Sequence, residues 1–449
     1  MVSLGIMNVP AQAVSSLPEW SRPSESPDVD TALRRDPTPR YRRLGPSRTG
    51  SGEVLPARGV AASGDSQVRA AAAGTGNLSV LQLGKYYPPF KGGIESHVQS
   101  LCEGLAPRCK LEVLAANTRP QTARERYRGV RITRVACAGQ VLSTPLTPGM
   151  VSWLAQHNGH DIVHLHHPNP FAALAYLAVR PRGPLVVSYH SDIVCQRHLL
   201  HAYELLQQNL LRHADAILVS SPNYLESSTS LRPHRARCRI IPYGVNVPDY
   251  QETAERQHLA DRLRRWFGPR VVLAVGRLVG YKGFDVLVSA MKDVDARLVL
   301  VGSGPMGDVL RRRTEALGIQ DRVFFTGEVK TNYLKACYHA CDVFVLPSIA
   351  RNESFGIVQL EAMAAGKPVV STGIDSGVPY VNKHGHTGTV VPPSDSKALA
   401  AAIQHLLDNP SEARALGRNG LARVREEFSL GAMVDRIWDV YRELAPGRC

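Results

Sequence analysis

Residues Pro347 to Gly366 read PSIARNESFGIVQLEAMAAG, and the way this stretch folds decides where the rest of the chain must go. It carries Glu353 and Glu361 with Ser354-Phe355-Gly356 between them. On one unbroken helix the two carboxylates would stand about 12 Å apart along the axis and about 80° apart around it, too far to share a small ligand. Ile357, Leu360, Met363 and Ala364 recur at helical spacing, so the pattern predicts a helix that begins near Phe355 or Gly356. Glu353 then falls in the loop ahead of the helix and Glu361 inside it. Gly356 leaves room for a ligand to approach the bare first-turn amides, where the helix dipole is positive. An anionic group fits there, with a carboxylate on each side to accept from hydroxyls. That describes a pocket for a sugar joined to a phosphate. The bland alternative is a strand-turn-helix with two solvated glutamates.

Outward from this stretch the chain repeats one scheme twice. Leu78-Ser-Val-Leu-Gln-Leu-Gly84 is a buried-strand pattern ending in glycine, followed by a loop and a helix with Ile94, Val98, Leu101 and Leu105 on its apolar face. Further strands are expected at 111–115, 130–135, 161–165, 185–189, 216–220 and 238–242, with helical patterns at 170–179, 199–212 and 222–230. Residues 249–268 read as a helical connector. Val271-Val-Leu-Ala-Val-Gly276 opens the second round, with strands at 297–301, 322–326, 342–346 and 368–371. Strands separated by helices predict an α/β fold of two doubly wound, Rossmann-like domains with a ligand crevice between them at the carboxyl ends of the strands. The expected divisions are a disordered extension over 1–75, domains over 76–246 and 247–428, and a last helix in 429–449 packing back toward the first domain.

Length, charge and cysteines agree with this layout. The 449 residues can form two full cores. Of the net charge of +14, only +2 lies in residues 1–75, where 9 Arg face 7 acidic residues. The excess suits an anionic partner such as a nucleotide or a phospholipid surface. Nucleic acid is not expected, because no basic-aromatic module is present. The longest apolar run, Phe171 to Val179, is too short to span a membrane. No apolar segment near the start reads as a secretory signal. Eight cysteines without a CxxC pair suit a reducing compartment, so a cytoplasmic protein is expected. Two arginine clusters, Arg124, Arg126, Arg128, Arg131 and Arg134, then Arg232, Arg235, Arg237 and Arg239, could attract anionic lipid and hold the protein peripherally at the inner membrane face.

Several loops at strand ends carry residues fit for chemistry. Lys91-Gly92-Gly93-Ile-Glu95-Ser-His97 pairs two glycines with a helix start, which lets a diphosphate reach the backbone; a tight turn is the alternative. His164, His166 and His167 end one strand. Alternation puts at most two of them on one side, and no Cys or carboxylate follows at ligand spacing, so no metal is expected. His190, past the next strand, points at the same crevice. Arg277 and Lys282 lie just beyond a strand and can neutralise charge building on a leaving diphosphate. Backbone groups near Glu328 and Val329 could read a nucleotide base.

Four of these motifs occur in an order that resembles the retaining glycosyltransferases of family 4. They are Lys91-Gly-Gly-x-Glu-x-His97, Ile241-Pro-Tyr-Gly-Val245, Gly276-Arg277-Leu-x-x-x-Lys282-Gly283, and Glu353 to Glu361 within ESFGIVQLEAMAAGKPVV. The resemblance covers residues 78 to 445 and implies a GT-B fold, a nucleotide-sugar donor held by the second domain and a glycan or polyprenyl-diphosphate-linked acceptor held by the first. It implies that Arg277 and Lys282 grip the diphosphate, that Glu361 binds the ribose, and that Glu353 holds sugar hydroxyls. The amides of Phe355, Gly356, Ile357 and Val358, with Gly92 and Gly93, would flank phosphate and sugar, and His190 would approach the sugar. Tyr189-His-Ser-Asp-Ile-Val194 and Ser220-Ser-Pro-Asn-Tyr-Leu-Glu226 resemble mannosyl- and rhamnosyltransferases of O-antigen assembly, which implies a GDP-linked donor and no cofactor. Asp375 stands where many relatives carry a different segment, which leaves donor choice open. An epimerase or phosphorylase of the same fold, or a silent nucleotide-sugar-binding subunit, are the rival readings.

Overall fold

The computed structural model of the protein describes residues 78–90, 92–141, 144–192 and 197–448. The expected extension over 1–75 and Lys91 lie outside them. Apolar runs rich in Val, Leu and Ile form most of the strands, which are buried because helices cover both faces of a parallel sheet; the marginal strands Ala123–Tyr127 and Cys238–Ile240 are largely exposed. The first sheet contains β1 (Ser79–Leu83), β2 (Lys110–Ala116), β3 (Ala123–Tyr127), β4 (Val130–Val135), β5 (Ile162–His167), β6 (Leu185–Tyr189), β7 (Ala216–Val219) and β8 (Cys238–Ile240). Its order is β8-β7-β6-β5-β1-β2-β4-β3, parallel except where β3 pairs antiparallel with β4. The second contains β9 (Val271–Val275), β10 (Arg297–Val301), β11 (Val323–Gly327), β12 (Val343–Leu346), β13 (Val369–Thr372) and β14 (Gly388–Val391) in the order β11-β10-β9-β12-β13-β14.

Both sheets belong to one unit of chain, Thr75–Cys449. Two passes join them side by side: the Val245 amide donates to the Phe428 carbonyl at 3.0 Å, and the Leu430 amide donates to the Val245 carbonyl at 2.9 Å. The second pass leads into α6 (Leu430–Leu444), whose Met433, Val434, Ile437, Val440 and Tyr441 are buried in the core of the first sheet. Val434 lies against Gly104 of α1 (Gly93–Leu105). The remaining helices used below are α2 (Pro170–Val179), α3 (Ala254–Phe267), α4 (Thr331–Ala340) and α5 (Ile357–Ala364).

Candidate active site

In the second sheet, β9 and β12 lie side by side although β10 and β11 come between them in sequence. The crevice where strand order reverses is where an open sheet of this kind takes a ligand, at the carboxyl ends of the strands. Two loops meet there. The loop after β9 carries Arg277 and Lys282, and the loop after β12 carries Glu353. Gly283, at φ 66°, lets them touch: a Cβ at this position would stand 2.1 Å from the Pro347 carbonyl oxygen. The Ile349 amide donates to the Tyr281 carbonyl at 2.9 Å. This contact places the Lys282 Nζ in an ion pair with Glu353 Oε2, with side chains 12% and 11% exposed. Ser348 Oγ donates to the same oxygen at 3.2 Å. Burial alone would lower the pKa of Lys282, but the Glu353 carboxylate more than offsets it and holds the ammonium above its ordinary range. Arg277 on the same loop is exposed and has no carboxylate partner among the described residues.

The Glu353–Glu361 stretch divides at Gly356. Its φ of 73° is a left-handed conformation, and a Cβ there would meet Leu346 at 2.5 Å, so only glycine fits. The α5 helix therefore starts at Ile357, just past the start that its apolar spacing predicts. The Ile357 and Val358 amides open that helix and have no carbonyl inside it to bond. Phe355 is buried, and its ring meets Tyr243 edge-on at 5.0 Å. Glu361, in the second turn, stands apart from the Lys282–Glu353 pair. Its carboxylate accepts from the Tyr338 hydroxyl of α4 at 2.6 Å and bonds the Tyr250 hydroxyl ahead of α3. Burial raises its pKa, and the two tyrosines partly oppose the rise. Val329, after β11, is half-buried against the same core. The tyrosines have no local sequence signal, because they come from two distant elements.

The first sheet departs from expectation at two places. Gly92 caps α1, and a Cβ there would stand 2.1 Å from Glu95 Oε2. The Glu95 carboxylate takes the space over this glycine where a diphosphate is expected, and it is buried with its pKa raised by that burial. Beside Gly93 there is open space. His190 is buried with both ring nitrogens bonded inside the protein: Nε2 to His166 Nδ1 at 3.0 Å and Nδ1 to the Tyr243 hydroxyl at 2.5 Å. In this arrangement it has no nitrogen left for a sugar hydroxyl. Alternation does separate the strand histidines. His164 and His166 share a face, while His167 stacks on Tyr189 at 4.5 Å on the other. The sequence reading missed that α1 adds His97 to the first face, bringing nitrogens of His97, His166 and His190 within 4.8 Å of one another. Three such donors suit a metal ion, but here two of them are hydrogen-bonded to each other.

Most of the arginines in the two clusters are already bound by neighbouring groups. Among the clustered arginines, Arg128 pairs with Glu103 at 2.6 Å, Arg131 with Glu112 at 3.3 Å and Arg239 with Glu443 at 3.4 Å. Arg134 is held by Glu125 and the Tyr87 carbonyl, and Arg237 by the Arg212 and Ala214 carbonyls. A contact not foreseen joins the two halves: Arg351 of the β12 loop pairs with Asp192 past β6 at 2.7 Å. No helix of the described residues is long and apolar enough to cross a membrane.

A family model described as "Glycosyl transferases group 1" matches residues 260–423, and one described as "Glycosyl transferase 4-like domain" matches 92–244. The O-antigen chain mannosyltransferase C of Escherichia coli is 32% identical over 370 residues, 82% of this chain and 99% of that protein. The D-rhamnosyltransferase WbpZ of Pseudomonas aeruginosa is 36% identical over 349 residues, 77% of this chain and 90% of its own. Among solved structures, sucrose-phosphate synthase from Thermosynechococcus elongatus superposes with a TM-score of 0.69 at 26% identity, covering 82% of this chain and 99% of that one. Anabaena HepE, solved with UDP and glucose, gives 0.68 at 21% identity over 82% of this chain and 100% of that one, a likeness of fold alone.

Proposed function

This chain belongs to the family 4 glycosyltransferases and has their two-domain GT-B fold, and on that premise we propose that it moves mannose or a related hexose from a GDP-linked donor to an O-antigen-type, lipid-linked glycan with retention at the anomeric carbon. One observation carries the reading: a buried Lys282–Glu353 pair spans the strand-order reversal of the second sheet, with Arg277, which has no carboxylate partner among the described residues, beside it on one loop. A diphosphate entering the crevice meets two cations there. Glu361 is the ribose acceptor, and Glu353 orients both Lys282 and the sugar hydroxyls. The amides of Ile357 and Val358 face the phosphate and those of Phe355 and Gly356 the sugar.

Retention through a covalent sugar intermediate uses two carboxylates about 5 Å apart flanking the bond. Glu353 is committed to Lys282, and Glu361 to two tyrosines. A front-side displacement suits these residues better. The bond from C1 to the phosphate oxygen breaks, the acceptor oxygen bonds C1 on the same face, and the acceptor's proton passes to the leaving phosphate. Arg277 and Lys282 stabilise the charge that grows there without a metal, so full activity in chelator is expected.

Thermal shifts with UDP, GDP, ADP and their sugars test the reading, because a ligand that binds only the folded state raises its melting point. GDP and GDP-mannose should give the largest shifts, followed by transfer with an axial-to-axial product by NMR. No shift with any nucleotide would overturn the enzyme reading, and a UDP-only response would overturn the donor. Contact with anionic membrane rests on Arg124, Arg126 and Arg232, which are exposed and lack a carboxylate partner among the described residues. Liposome flotation that ignores anionic lipid content would remove that part.

A further inference from the structure

We infer that Gln82, His166 and Tyr441 are positioning residues for sugar transfer, holding His190 and Tyr243 through one unbroken chain of buried hydrogen bonds. The inference rests on the glycosyltransferase reading above. Period-two alternation puts Gln82 of β1, His164 and His166 of β5, Ser188 of β6 and His190 on one face, and Tyr441 of α6 reaches that face from the C-terminal helix. Gln82 Nε2 donates to the Tyr441 hydroxyl oxygen at 2.9 Å, and that hydroxyl lies 2.5 Å from His164 Nδ1. His164 Nε2 lies 2.8 Å from Ser188 Oγ. On the other side, His166 Nε2 lies 2.9 Å from Gln82 Oε1, and His166 Nδ1 lies 3.0 Å from His190 Nε2. His190 Nδ1 ends the run on Tyr243 at 2.5 Å.

Donor counting gives this chain a direction. The Gln82 oxygen only accepts, so His166 carries its proton on Nε2 and accepts at Nδ1. His190 therefore carries its proton on Nε2 and accepts from the Tyr243 hydroxyl at Nδ1. In the other arm the Gln82 amide occupies the Tyr441 oxygen, so that hydroxyl donates to His164 Nδ1 and His164 Nε2 donates to Ser188. All three rings are neutral, in keeping with the lowering of their pKa by burial. Reversing the Gln82 amide would reverse every donor along the chain, so this one side chain sets the proton positions on His190. Both ends, Ser188 and Tyr243, line one cavity of about 10 Å³. Tyr243 packs edge-on against Phe355, which precedes the first amides of α5, so this ring contact is the route by which the chain would bear on the loop that holds the donor.

Gln82→Met keeps the side chain's length and removes both bonds. It should lower kcat about tenfold, the rate equivalent of one lost buried hydrogen bond, with donor KM changed less than about twofold. Gln82→Glu still accepts from His166 and should recover most of the lost turnover. Tyr441→Phe, which frees Gln82 to turn, should lower kcat less than Gln82→Met and serves if that variant fails to fold. Ring ¹⁵N shifts read the protonated nitrogen of His190 directly. They judge the chain even if no nucleotide sugar proves to be a substrate. A single Nε2-protonated His190 in the wild type and a mixture in Gln82→Met are expected. Turnover within about twofold of wild type in both folded variants would overturn the inference, as would lost turnover with His190 unchanged. Stoichiometric zinc binding abolished by His97→Ala would overturn it too, because the His166–His190 bond would then be a metal site.

Discussion

At the carboxyl edge of the first sheet, the chain from Tyr243 to Ser188 buries neutral rings, hydroxyls and one amide that satisfy one another. At the same edge of the second sheet Lys282 and Glu353 are buried as ions. The histidine chain from Tyr243 to Ser188 leaves its three imidazoles without a spare nitrogen. The second edge leaves capacity over: Arg277 has no carboxylate partner among the described residues, and Lys282 has three protons against one carboxylate. A neutral, saturated network rigidifies without attracting anything. A charged, under-committed one waits for counter-charge. On the proposed reading, the donor phosphates go to the second half and the first half shapes the crevice.

The comparison breaks most sharply at Lys282. Lys282→Ala should lower turnover by about 10²–10³, since it removes a cation facing charge that grows in the transition state, while donor affinity falls much less. It also strands a buried carboxylate, which costs about 3–5 kcal/mol of stability. Lys282→Met combined with Glu353→Gln should restore most of the melting temperature and none of the turnover. Normal turnover in Lys282→Ala would erase the contrast between the two edges.

Glu361 sharpens it next. Glu361→Gln should raise donor KM about tenfold, the cost of a weakened charged acceptor, with kcat little changed. Stability should move the other way. Burial raises the folded-state pKa of Glu361, so its contribution to stability is fully present below the usual carboxyl value of 4.5 and is lost as pH rises through the raised value. At neutral pH the buried carboxylate is a burden. Glu361→Gln should therefore melt higher than wild type at pH 7 and lose that advantage at pH 4. Calorimetry at the two pH values checks the sign. A variant that melts lower at pH 7 would mean that the Tyr338 and Tyr250 bonds outweigh the burial.

Much of the fold was legible because it rests on local patterns. Strands at Val130–Val135, Leu185–Tyr189 and Arg297–Val301 fall where buried apolar runs put them. Strand β3 was not legible: its sequence, ARERY, is exposed along its whole length and pairs antiparallel at the sheet margin, so no apolar alternation marks it. The division of Glu353 from Glu361 could be read from Gly356 and helical spacing. Their partners could not. Tyr338 and Tyr250 reach Glu361 from separate elements, and Gln82 reads as one more residue of a buried strand. His97 stands out in the sequence only as the end of a motif, because it lies on α1 while His166 ends β5 and His190 follows β6.

The smallest expected effect lies where the two edges touch. Arg351 joins Asp192 at 2.7 Å, donates to the Ser227 carbonyl at 3.0 Å and lies over the Tyr224 ring at 5.5 Å. Asp192 also accepts from the Tyr189 hydroxyl at 2.6 Å and from Ser228 Oγ at 3.0 Å, so its carboxylate is fixed before the arginine arrives. Nearby, Ser227 Oγ donates to the Asp375 carbonyl at 3.2 Å. The clasp lies just past His190 on one side and just before Glu353 on the other, so it holds the neutral edge against the charged one. The Arg351 side chain is 32% exposed, and solvent screening reduces the pair to about 1 kcal/mol. Arg351→Ala should then weaken donor binding about fivefold, because the closed crevice loses that much, and should enlarge the radius of gyration of the donor-bound enzyme in solution scattering. Lys at this position should restore little, because it lacks the second donor that reaches Ser227. If Arg351→Ala binds donor normally and scatters like wild type, the two edges are held together by the paired chain passes at Val245 and Ser429, and the clasp is an ordinary surface ion pair.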